Sequence, residues 1–70
     1  MEEIIKKCER GGFCKRIRDV IQHIERCGYT VKKLEINRYY KGLVSEVSVY
    51  TNAPECVTGL GFEWINYVRV

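Results

Sequence analysis

The chain has 70 residues and carries 12 Lys plus Arg against 9 Asp plus Glu. That length holds one domain, residues 1–70, and nowhere in it do ~20 apolar residues run together as a membrane-spanning helix requires. Residues 1–41 carry eleven basic and six acidic side chains, and residues 42–70 one and three, so an anionic partner would meet the first part.

The opening MEEIIKKCERGG is acidic where a signal peptide is basic, and no apolar run follows. A cytoplasmic protein with no membrane partner is expected. Ile4, Ile5 and Cys8 suggest a short helical piece that Gly11-Gly12 ends. FCKRIRDVIQHIERCGY follows, with Ile17, Val20, Ile21, Ile24 and Cys27 at helical spacing and Lys15, Arg18, Asp19, Gln22 and Arg26 on the opposite side. This predicts an amphipathic helix over about 13–27, closed by Gly28 as a left-handed cap with Arg26 at the negative end of its dipole.

After Gly28 the period becomes two. Leu34 and Ile36, then Val47 and Val49, alternate with polar residues and predict a hairpin with Gly42 in the turn. Setting apolar residues opposite one another pairs Ile36 with Val47 and Leu34 with Val49. The same register puts Tyr40 opposite Leu43 around Lys41-Gly42, or Tyr39 opposite Val44 if the loop is four residues. A three-residue loop would set Ile36 against Glu46 and is rejected. Residues 52–61, with Asn52, Pro54, Gly59 and Gly61, predict a loop before a last strand, FEWINYVRV, that presents Phe62, Trp64, Val68 and Val70 on one face. The expected fold is α+β: one helix, with a short helical turn before it, packed on a three-stranded antiparallel sheet with strands near 30–39, 44–51 and 62–69.

The outer face of that sheet would collect Tyr39, Val44, Tyr50, Ile65 and Tyr67 among Glu35, Asn37, Glu46 and Ser48. Such a face is too apolar to stand in water alone, and small domains often lean on a second subunit. A homodimer through Val44, Tyr50, Ile65 and Tyr67 is expected. Fifteen Ile plus Val with a single Gln suits a thermophilic source.

Cys8, Cys14, Cys27 and Cys56 lack the CxxC spacing of zinc or thioredoxin-type sites. Cys14 and Cys27 lie about 20 Å apart along one helix and cannot join. Two disulfide schemes remain, 8–14 with 27–56 and 8–27 with 14–56, beside the reading in which all four are free thiols acting as small apolar groups. His23 falls at the edge of the polar helix face beside Asp19, which suits a solvated or ion-paired histidine. Two ligands, His23 and Cys27, do not make a metal site. With one His and one Asp, acid–base catalysis has almost no raw material, and Gly59-Leu60-Gly61 has neither the lysine nor the helix of a phosphate loop. No enzyme activity, metal or cofactor is expected.

NRYYKGL, residues 37–43, carries the remaining signal. Arg38 and Tyr40 should project from one face of the hairpin tip and Tyr39 from the other, with Lys41 in the turn. Cations interleaved with aromatics suit nucleic acid, with phosphates on the cations and bases stacked on the rings. Lys32 and Lys33 at the far end of the strand, and Lys15 and Arg18 on the helix, would extend the track. The competing expectation is a module that binds another protein, its tyrosines packed on a partner. A helix over three strands serves many purposes and assigns none by itself.

Overall fold

The computed structural model describes residues 1–70, and its first element is a full helix rather than a turn. In α1, Glu2–Glu9, two acidic residues stand in the first turn and Lys6 and Lys7 in the last, matching the helix dipole at both ends. Ile5 and Cys8 are buried beneath it. Arg18 fixes α1 to the next helix, reaching Glu9 through Nε at 3.1 Å and Glu2 through Nη2 at 3.1 Å.

The apolar stripe becomes α2, Ile17–Arg26, with Ile17, Val20, Ile21 and Ile24 buried. It starts four residues later than the expected 13, because residues 13–16 make the turn that leads out of Gly11-Gly12. Gly28 closes α2 as predicted: at φ 91° it sends its own N–H to Glu25, while the Tyr29 N–H reaches Ile24, a Schellman closure.

The hairpin is β1, Val31–Tyr40, and β2, Leu43–Thr51. Its register is the expected one, with Leu34 opposite Val49, Ile36 opposite Val47 and Tyr40 opposite Leu43. Lys41 at φ 53° and Gly42 at φ 80° form the two-residue turn with both residues left-handed, as a type I′ hairpin demands. Near the tip, however, Arg38 pairs with Glu46, with irregularities on both sides. Asn37 on one strand and Ser45 on the other are extra residues that cancel in register but break the alternation between them. Val44, expected on the outer face, is therefore 2% exposed and lies in the core, where its carbonyl accepts a 3.4 Å hydrogen bond from the Cys14 thiol.

The 52–64 connection holds a single helical turn, α3, Glu55–Thr58, which the sequence suggested was loop. The connection brings the chain back to the end where β2 began, so β3, Ile65–Arg69, lies parallel to β2. The sheet, in order β1-β2-β3, is therefore mixed and not antiparallel. A crossover of about a dozen residues is the least that parallel pairing needs, and this one provides it.

Parallel pairing sets Ile65 opposite Val47 and Tyr67 opposite Val49, so both face the helices and pack against the core. Phe62 and Trp64 precede the strand instead of lying in it, and Val68 pairs with Tyr50 on the outer face. That outer face is polar and knitted together. Asn37 and Asn66 both donate to the Ser48 hydroxyl, at 2.6 and 3.2 Å. The Tyr50 hydroxyl donates to Glu35, and the Lys33 ammonium lies 3.5 Å from Glu35 and 4.5 Å from the Tyr50 ring. Of the four residues grouped there as a dimer face, Val44, Ile65 and Tyr67 belong to the core, and only Tyr50 is on the outer surface. No helix is long and apolar enough to cross a membrane.

Candidate nucleic-acid interface

The irregular pairing at Asn37 and Ser45 twists the tip so that Arg38, Tyr39 and Tyr40 all line one cleft, although alternation predicted two faces. The cleft measures about 390 Å³, within the size range of small-molecule pockets. Its second wall comes from distant sequence. Phe13 meets Tyr40 edge to face, with centroids 6.0 Å apart. Trp64 also lines it, tilted against Phe62 at 5.0 Å and held by its carbonyl, which accepts from the Val47 N–H at 2.9 Å. Glu46, Glu63 and Ser45 complete the lining, and the buried Ser45 hydroxyl has no protein partner.

Three of the four lining aromatics are more than half exposed: Phe13 54%, Tyr39 55% and Tyr40 54%. Leaving rings in water forgoes burial worth about 1.5–3 kcal/mol each, so this end of the molecule carries apolar surface its own core does not use.

Cations stand over two rings at this end of the molecule. The Lys41 ammonium lies 5.4 Å from the Tyr40 centroid, and the Arg16 guanidinium 5.7 Å from that of Phe62. Across Tyr39 a smaller hollow of about 190 Å³ brings Lys7 of α1 and Arg10, which caps that helix, beside Gly42 and Leu43. Gly12 makes that approach possible. At φ +83° it holds a conformation L side chains rarely adopt, and a Cβ there would meet Leu43 Cβ at 3.1 Å.

Of the residues suggested by sequence, Arg38, Tyr39, Tyr40 and Lys41 are thus brought together. Lys32 and Lys33 are not: they sit toward the other end of a ten-residue strand, some 30 Å long, and Lys33 is engaged with Glu35 and Tyr50. Lys15 is exposed on the turn before α2, next to Arg16. Arg18 is held between two carboxylates, which raise its pKa, Glu9 contributing most. Phe13, Arg16, Trp64, Lys7 and Arg10 join the site without having been foreseen. Phe13 beside Lys15-Arg16 repeats the aromatic-plus-cation pattern of NRYYK in miniature and was the one available local signal.

Beyond Ser45, the Tyr67 hydroxyl is the one buried side-chain oxygen or nitrogen without a protein partner. His23 is not solvated: its Nε2–H donates to the Val57 carbonyl at 3.0 Å, tying α2 to the crossover, while Asp19 pairs with Arg16. All four cysteines are free thiols, so neither disulfide scheme is present; Cys8 and Cys14 are buried, Cys27 and Cys56 exposed. Burial, and then the neighbouring Cys14 thiol, push the Cys8 thiol up to about 12. No three His, Cys, Asp or Glu side chains gather as a metal site would require. Comparison with protein-family models, curated proteins and solved structures finds no match to this chain.

Proposed function

We propose that the protein is a small, non-catalytic binder of single-stranded nucleic acid that takes an unpaired strand across the hairpin tip. The observation that carries this reading is the cleft itself: four aromatic side chains from three separate parts of the chain converge there, three of them more than half exposed. Rings displayed in this way stack on bases, and Lys41, Arg16, Lys7 and Arg10 around them are placed for phosphates. A duplex keeps its base faces stacked inside and offers nothing to such a cleft, so single strands are favoured.

A second reading, a protein-binding module, has one specific observation on its side: Glu46 and Glu63 put negative charge in the cleft. Fluorescence anisotropy with single- and double-stranded DNA and RNA at 50 and 200 mM salt separates the two. Nucleic-acid binding predicts single strands held more tightly than duplex, with a steep salt dependence. Replacing Lys7 and Lys41 together by Ala should flatten the log–log salt slope by roughly 1.4, for two phosphate contacts on a single strand. Absence of binding at 50 mM salt would leave the protein module, whose complex should depend little on salt. A homodimer is a separate proposal, resting now on small size alone, and sedimentation at micromolar concentration tests it.

A further inference from the structure

The carboxylates that stand against a phosphate-binding cleft make sense if the cleft does not hold phosphate. Its charges are mixed: Arg38 shares the cleft lining with two acids, Glu46 and Glu63, while Lys41, Arg16, Lys7 and Arg10 are not among the residues that line it. A phosphate inside would meet net negative charge. Outside, Lys41, Lys7 and Arg10 form no ion pair, and Arg16 is paired with Asp19. The acids can instead accept hydrogen bonds, as a carboxylate offers two oxygens and no donor.

We infer that the cleft is the subsite for one unpaired guanine base. This rests on the single-strand reading above and adds to it a chemical preference. Among the four bases, guanine alone presents two adjacent N–H donors, N1–H and N2–H2, on one edge, which matches the two oxygens of a carboxylate. Its other edge, O6 and N7, accepts the paired donors of an arginine, the commonest specific contact to that base. A cleft lined by aromatic rings, two acids and Arg38, which pairs across the hairpin with Glu46, holds the groups that both edges call for. Uracil and thymine offer one N–H between two carbonyls, which a carboxylate repels. Adenine and cytosine offer a single amino group. The Ser45 hydroxyl, buried at the cleft wall and unpartnered, is one further group a polar base edge can satisfy.

Trp64, the only tryptophan of the chain, lines the cleft and reports on its occupancy. The experiment titrates the protein with an eight-nucleotide uridine strand and with the same strand carrying one central G, A or C, following Trp64 emission and anisotropy at 50 mM salt. The G strand should bind about fivefold or more tightly than the others and quench Trp64 most. In Glu46→Gln or Glu63→Gln the preference for G should fall toward unity, since an amide has one acceptor where the carboxylate had two. Glu25→Gln, on the exposed face of α2, is the control that should retain it. Equal binding of all four strands overturns the guanine subsite and leaves the single-strand reading standing. A preference that survives in both Gln variants overturns the role given to the carboxylates. Failure of every strand to bind overturns both readings, and quenching of Trp64 by a triarginine peptide but not by the strands makes the cleft a cation site.

Discussion

At the root of the β1–β2 hairpin, Thr51 donates to the Thr30 carbonyl at 2.6 Å and accepts from the Ala53 N–H at 3.1 Å, while Asn52 Oδ1 accepts from the Thr30 N–H at 3.0 Å. At its tip, some 30 Å away, Tyr39 and Tyr40 stand more than half exposed and Ser45 has a hydroxyl with no protein partner. The same two strands make both ends. The root pairs Thr30, Thr51 and Asn52 with their own chain and places Thr51 at 1% exposure, leaving the nearby Tyr67 hydroxyl as its one buried group without a protein partner. The tip leaves apolar rings and hydrogen-bonding capacity unspent. In a protein this small, surface that the fold does not use for itself is the surface available for something else.

The comparison breaks most readily under paired substitutions. Ile24→Ala, at a fully buried residue of the helical turn that leads into the root, should lower unfolding free energy by about 2–5 kcal/mol, a large share of the roughly 5–15 kcal/mol that holds a domain folded. Tyr40→Ala at the tip should change stability by about 0.5 kcal/mol or less yet weaken single-strand binding by about 1–3 kcal/mol. Urea denaturation and anisotropy read the two effects on the same samples. If Tyr40→Ala unfolds the protein, the tip is structural and the contrast is lost.

Thr51→Val sharpens the contrast from the other side. It keeps the shape of a residue at 1% exposure but strands the Thr30 carbonyl and the Ala53 N–H, and should lose about 1–3 kcal/mol of stability. Nucleic-acid affinity should be unaffected, because no root residue reaches the cleft.

The smallest expected effect is pH dependence. The Cys8 thiol is pushed up to about 12 from an ordinary 9.0, chiefly by burial, and burial also raises the Tyr67 phenol above its ordinary 10.0. Both are neutral in the fold and ionise more easily when unfolded. The stability tied to them is therefore present below about pH 9 and is lost as pH rises toward 12. Glu35, lowered by the Tyr50 hydroxyl and then Lys33, and Glu2, lowered by Arg18, act in the opposite sense: their contribution is present above 4.5 and fades as pH falls below it. Thermal melts from pH 3 to 11 should show a plateau between these limits. The alkaline decline should be the steeper, since the acidic pair is fully exposed and screened by water.

What was legible in the sequence follows the range of the interaction. The hairpin register was readable because Leu34, Ile36, Val47 and Val49 must share one face, and a slip of one residue would expose them all. The end of α2 was readable because Gly28 has few other uses in that place. Alternation in FEWINYVRV, by contrast, fits either parity and either direction. Only the length of the 52–64 connection bears on direction, and it permits both. The paired irregularities at Asn37 and Ser45 carry no glycine or proline to announce them, so the inward turn of Val44 and the gathering of Arg38, Tyr39 and Tyr40 into one cleft were invisible. Adjacent tyrosines named half of the candidate site. Phe13, Glu63 and Trp64 come from other parts of the chain, and no local pattern could have placed them opposite.

The parallel placement of β3 also sets the order in which the molecule is assembled. A hairpin closed by a two-residue turn forms on a timescale of about 1–10 μs, whereas parallel pairing must first close the longer 52–64 loop and is intrinsically slower. One wall of the cleft belongs to the early hairpin and the other, with Glu63 and Trp64, arrives with the strand that docks last. Trp64 emission followed by stopped flow during refolding should therefore change more slowly than a hairpin forms, and a change within about 10 μs would refute that order.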